Sequence, residues 1–221
     1  VTDLADRHDT TAEPVDAGLM DRVHRFRQSN GWIFSTMLVS ACLSLLASFV
    51  LSVDALALAR DPAAHLSCNI NQAISCGTVG VSWQAHLLGF PNAFLGLVCE
   101  PVVITIAIAS LAGVKFPRGF MLAAQIVYTI GVIFAYWLFF QAMFVIGALC
   151  PWCLLVTLST TLVFSSLTHV NIRDNNLFLS PRALERARAG LRIGLDALIV
   201  TLVLAAVVVL ILWKYGAVLF S

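Results

Sequence analysis

The chain has 221 residues, 60% of them hydrophobic and 11% charged, with a formal net charge of +1. That apolar excess excludes an ordinary soluble domain, and the near-neutral balance implies no basic surface for nucleic acid. Six cysteines are too few for a small disulfide scaffold at this length.

Residues 1–28 are polar and charged and are expected to form a flexible tail. They lack the apolar stretch of a cleavable signal, so targeting is expected to reside in the segments that follow. Five apolar runs come next, at 32–53, 92–113, 120–141, 150–170 and 194–214. Each reaches the roughly 20 residues a helix needs to cross lipid. Their unbroken apolarity lacks the alternation of a barrel strand, and only helices or closed barrels can cross. The expectation is an all-α polytopic membrane protein, with 29–221 as a single five-helix domain.

Lysine and arginine orient the spans. Arg7, Arg22, Arg25 and Arg27 precede the first span, Lys115 and Arg118 lie between the second and third, and Arg173, Arg182, Arg186, Arg188 and Arg192 lie between the fourth and fifth. The other side carries Arg60 and Lys214. This bias predicts a multi-pass protein with a cytoplasmic N-terminus and an outer C-terminus, in a membrane expected to be the inner (plasma) membrane. The links 54–91 and 142–149 then both face outward. The longer one holds Leu66, Ile70, Ile74, Val79, Val81 and Trp83, so it is expected to lie on the bundle or interface, with Gly89 and Pro91 as breakers at re-entry. The arginine-rich link 173–192 reads as an interfacial amphipathic element holding topology.

This topology places four cysteines on one outer face. Cys150-Pro151-Trp152-Cys153 opens the fourth span. Proline suits a first helical turn, and the unpaired N–H groups and positive dipole end there favour thiolate over thiol. The i,i+3 spacing brings the two sulfurs close enough to bridge. Two small cysteines packed in a helix end is the bland alternative. Cys68 and Cys76 lie in the outer link, where a disulfide persists. They read either as a static staple or as a shuttle pair exchanging with Cys150 and Cys153. Asn69, Asn71, Gln72, Ser75 and Gly77 would give such a shuttle a polar, pliable setting. A four-sulfur zinc site is also open, although the gap between Cys68 and Cys76 is wide for it. Cys42 and Cys99 lie within spans and read as inert small hydrophobes.

These residues resemble the vitamin K epoxide reductase family in its bacterial form. The resemblance rests on Cys68 and Cys76, on Ser82, on Asn92 in Pro91-Asn92-Ala93-Phe94-Leu95-Gly96, and on Cys150-Pro151-Trp152-Cys153, over roughly 32–170. It implies a four-helix bundle around a quinone of menaquinone or ubiquinone type, plus a fifth transmembrane helix. It implies a thiol:quinone oxidoreductase supporting disulfide-bond formation outside the cytoplasm. Cys68 would meet an exported thioredoxin-fold protein, Cys76 would exchange with Cys150, and Cys153 would reduce the ring. Asn92 would hydrogen-bond a quinone carbonyl, a role compatible with capping the second span, and Ser82 would sit near the ring. Animal members carry a tyrosine where this chain has Thr157, which favours plain quinone reduction over epoxide reduction. Some bacterial relatives fuse a thioredoxin-like domain after the last span; here the partner is expected to be a separate protein. No metal is called for by this mechanism. Glu100, inside the second span, reads as a hydrogen-bonded group beside a Pro101 kink or as a proton carrier for the quinone, and His86 as an interface histidine or a proton aid. A quinone-linked disulfide generator of another four-helix family would reverse the order of the two cysteine pairs. A cysteine-based transporter or metal-handling protein would need polar residues along several spans.

Overall fold

The structure is a computed structural model that describes Arg22 and residues 26–219 except His65 and Gln72. The expected tail 1–28 thus falls almost wholly outside the described residues, as does the Gln72 part of the polar loop setting. Seven α-helices are described: α1 (Asn30–Arg60), α2 (Cys76–Gly80), α3 (Ala93–Leu111), α4 (Arg118–Gln141), α5 (Pro151–Arg173), α6 (Pro181–Arg192) and α7 (Leu195–Leu219). Among the described residues the only β pairing is a single parallel bridge, Ile74 to Leu149. Five helices, α1, α3, α4, α5 and α7, are long and apolar enough to cross a membrane. The protein is an all-α, multi-pass membrane protein, as the sequence predicts.

Helices α1, α3, α4 and α5 form the bundle; α1 packs on α3 and α5, α4 packs on α5, and α7 leans on α5 from outside. Small residues let α1 approach α3 closely, as membrane helix pairs require. Ser40, Ser44, Ser48 and Ser52 recur every four residues on the buried face of α1. A Cβ on Gly96 of α3 would come within 2.0 Å of Ser48 Oγ, so this contact admits glycine only.

The two ends of the bundle differ. At one end Ile33, Phe34, Met37, Val103, Ile106, Met121, Val163 and Leu167 close an apolar core. Arginines cluster beyond it: Arg173 donates to Asn30 Oδ1 at 2.5 Å, Arg27 pairs with Asp196 at 3.2 Å, and Arg118 reaches the Asn175 carbonyl. At the other end Leu58, Leu66, Cys68, Cys76 and Cys150 form a separate buried cluster. The cysteines and the predicted basic face therefore lie at opposite ends. The 173–192 link contains α6, a helix none of whose residues is buried, in keeping with an interfacial element.

One expectation shifts. The first apolar run ends at 53, but α1 continues to Arg60, because Ala55-Leu56-Ala57-Leu58-Ala59-Arg60 are all strong helix formers. At 31 residues it is about 46 Å long, well beyond the roughly 30 Å hydrocarbon core. Its last two turns extend past the apolar run and carry the loop that follows. The link after α4 opens as a π-helical turn, Ala142–Ile146. Lys214 on α7 donates to the Met143 carbonyl within that turn, which docks the last span at the cysteine end. Gly89 lies at φ 82°, a left-handed conformation suited to glycine, where the chain turns back toward α3.

Candidate active site

The outer loop is fastened at both sides of Cys76. Asn71 Oδ1 accepts from the backbone N–H groups of Ala73 at 2.9 Å and Ile74 at 2.8 Å. Asn69 Oδ1 accepts from Gly77 N–H at 2.9 Å and from Ser75 Oγ at 3.2 Å. Ser75 Oγ caps α2 by accepting from Thr78 N–H at 3.2 Å. The asparagines and serine read as a pliable setting are instead the fixings of a defined loop, because short polar side chains satisfy nearby backbone donors. The Ile74–Leu149 bridge then ties this loop to the segment before α5: Ser75 N–H donates to the Leu149 carbonyl at 3.0 Å, and Leu149 N–H to the Ala73 carbonyl at 2.8 Å. That bridge, invisible to hydropathy, places Cys76 beside Cys150.

The sulfurs follow from it. Cys68 and Cys76 are joined by a disulfide, and Cys150 and Cys153 are free thiols. Cys150 Sγ lies 3.3 Å from Cys76 Sγ. This is near contact distance for a thiolate attacking a disulfide, and Cys76, not Cys68, is the sulfur within reach. Cys150 precedes the spanning helix as its N-cap, and its sulfur accepts from Cys153 N–H at 3.3 Å. A hydrogen bond from the Cys153 side chain, reinforced by the free backbone N–H groups of the first turn, holds the Cys150 thiol below the ordinary range against the opposing cost of burial. We expect the thiolate absorbance of the protein near 240 nm to titrate below about 8.5, the value of a free cysteine, and to vanish in Cys150→Ser. A titration at or above that value would show that the helix end does not activate the thiol.

Behind the sulfurs a cavity of about 520 Å³ opens between α1, α3, α4 and α5. Its wall is overwhelmingly apolar, and Cys76, Cys150, Cys153, Asn92, Ser82 and Glu100 all reach it. The volume is that of a small-molecule site, and an apolar wall with a few polar groups suits a flat, uncharged ring with a greasy tail. Thr157 also lines it, with its hydroxyl bonded back to the Cys153 carbonyl at 2.9 Å.

The remaining predicted residues sort as follows. Asn92 immediately precedes α3 but makes no capping bond. Its amide Nδ2 donates instead to the Gln84 carbonyl at 2.6 Å, and its Oδ1 is buried without a protein partner. Nδ2 keeps a second N–H, so the amide can offer the cavity a donor as well as the unpartnered acceptor Oδ1. Ser82 Oγ is bonded to the Val79 carbonyl at 2.6 Å. Glu100 accepts from Ser44 Oγ and Tyr128 Oη, each at 2.7 Å, which is the hydrogen-bonded alternative of the sequence reading. Cys42 is exposed on α1 rather than buried, and Cys99 lines the cavity. Sequence reading missed Asp54, whose Oδ2 lies 3.8 Å from Cys68 Sγ, because the first span was taken to end before it.

No curated protein matches the chain. A model of the vitamin K epoxide reductase family does match, over residues 35–168. That match covers more than half of the chain and takes in both cysteine pairs and the cavity-lining parts of the four bundle helices, so the protein belongs to the vitamin K epoxide reductase family and is a quinone-linked disulfide oxidoreductase.

Proposed function

We propose that the protein oxidises an exported thioredoxin-fold protein and passes the electrons to a membrane quinone. Cys68 receives the partner's attack, Cys76 exchanges with Cys150, and Cys153 delivers two electrons to the ring. The observation that carries this reading is the 3.3 Å approach of Cys150 Sγ to Cys76 Sγ, with Cys153 on the cavity wall behind it. The connectivity found, a closed loop pair and an open Cys150/Cys153 pair, is the state expected once electrons have left the loop.

The residues around the cavity suit a quinone. The quinone supplies the two-electron acceptor when bound. The chain's own contributions are an apolar chamber that excludes water, the buried acceptor Asn92 Oδ1, and an activated Cys150. Thiol–disulfide exchange moves the electrons between the sulfur pairs, with the lower-pKa thiol leaving faster. The proposed orientation puts the cysteine end outside and the arginine-rich end in the cytoplasm, where positive charge is retained.

The test is a purified-protein assay with a reduced thioredoxin-fold protein and a panel of benzoquinones and naphthoquinones. Cys76→Ala is expected to stop oxidation of the protein partner, while a small dithiol still drives quinone reduction through Cys150 and Cys153. Equal retention of both activities would remove the loop pair from the route.

A further inference from the structure

Asp54 stands on the part of α1 that projects above the apolar run. Its carboxylate and the sulfurs of Cys68 and Cys76 lie within 4.8 Å of one another, and Asp54 also borders the cavity. A carboxylate here repels every thiolate that the exchange creates, so it is a poor stabiliser of the resting site. Its value lies in holding a proton beside Cys68. We propose that Asp54 is the general acid–base of the loop cysteines, taking the Cys68 proton when the loop disulfide closes and returning it when the disulfide opens. This rests on the relay proposed above.

The step balances without an outside reagent beyond the quinone. Cys76 thiolate attacks Cys150 in a Cys150–Cys153 disulfide; the Cys76–Cys150 bond forms and Cys153 leaves as thiolate. Asp54 carboxylate then removes the proton of Cys68. The Cys68 thiolate attacks Cys76, the Cys68–Cys76 bond forms, and Cys150 leaves as thiolate. The loop is oxidised by two electrons, the α5 pair is reduced by two, and the proton rests on Asp54 until the outer solvent takes it. Cys150 is a suitable leaving group because its thiol is held below the ordinary range. The titratable groups facing Asp54 are Cys68 and Cys76 of the loop and Cys150 and Cys153 of α5. Arg60 and Asp61, at the end of its own helix, are exposed.

The experiment starts from fully reduced protein in nanodiscs, mixed with a soluble quinone and quenched by alkylation, and reads closure of the Cys68–Cys76 bond against pH. A free thiol is only a few per cent thiolate at pH 7, so Asp54→Asn is expected to slow closure roughly 30-fold there. The ratio of native to Asp54→Asn rates should shrink toward one as pH approaches about 8.5. Asp54→Glu is expected to keep most of the rate. An Asp54→Asn protein with the native rate and profile overturns the proposal, as does one that is slow at every pH alike. Asp54→Ala with added formate is the second variant; partial rescue supports the role, and no response from folded protein overturns it. A Cys68→Ala, Cys153→Ala double variant treated with diamide, a two-electron thiol oxidant, separates the two readings. If its Cys76–Cys150 disulfide fails to form, the relay fails; if it forms while Asp54→Asn is unaffected, only the role of Asp54 fails.

Discussion

Cys153→Ala is expected to reduce quinone turnover to background while the protein remains folded. Cys150 and Cys153 both line the cavity, but Cys150 lies 3.3 Å from Cys76, so under the proposed order Cys153 is the one left to meet the ring. With Cys153 gone, Cys150 can still attack the loop disulfide, but the resulting Cys76–Cys150 bond has no second thiol in α5 to resolve it. The variant should therefore accumulate that cross-link, visible by peptide mapping without reductant, together with a free Cys68. Loss of one small sulfur from a half-buried position is expected to change stability by no more than about 1 kcal/mol, so an unchanged thermal transition separates lost chemistry from lost fold. Quinone turnover near the native rate would mean that another group delivers the electrons, and the proposed order would fall.

The five spans and the all-α class were legible because lipid imposes one rule, about 20 apolar residues per crossing. The chemistry of Cys150 and Cys153 was legible because Pro151 marks a helix start, and a helix start activates a thiol. What escaped the sequence is tertiary. The pairing of Ile74 with Leu149 joins two segments more than seventy residues apart, and nothing in either announces it. Asp54 escaped because hydropathy measures lipid and not helix: the span stops near Val53 but the helix does not. Asn92 borders the cavity, but its bond to Gln84 was not legible. Its Nδ2 gives one of two N–H groups to the Gln84 carbonyl, a contact made by the fold of the re-entrant segment rather than by local sequence.

Glu100 yields the second large effect, on stability. Its two carboxylate oxygens accept from Ser44 on α1 and Tyr128 on α4, so one side chain of α3 ties three helices together inside the membrane-spanning region. All three residues are buried, and no water is at hand there to replace a lost partner. Glu100→Leu removes both acceptors at once and leaves two hydroxyls unsatisfied. At about 1–3 kcal/mol for each orphaned group, the expected loss is about 2–6 kcal/mol, seen as a lower thermal transition in detergent. Glu100→Gln keeps one carbonyl acceptor and the same shape, so its cost should stay nearer to a single hydrogen bond, about 1 kcal/mol. The ordering Gln above Leu is what a structural clamp requires. The same pair distinguishes that clamp from a proton carrier: Gln cannot carry a proton, yet it can hold the helices. A stable Glu100→Gln protein with native quinone turnover confirms a clamp, and a stable one with turnover lost would make Glu100 part of the proton path to the cavity it lines.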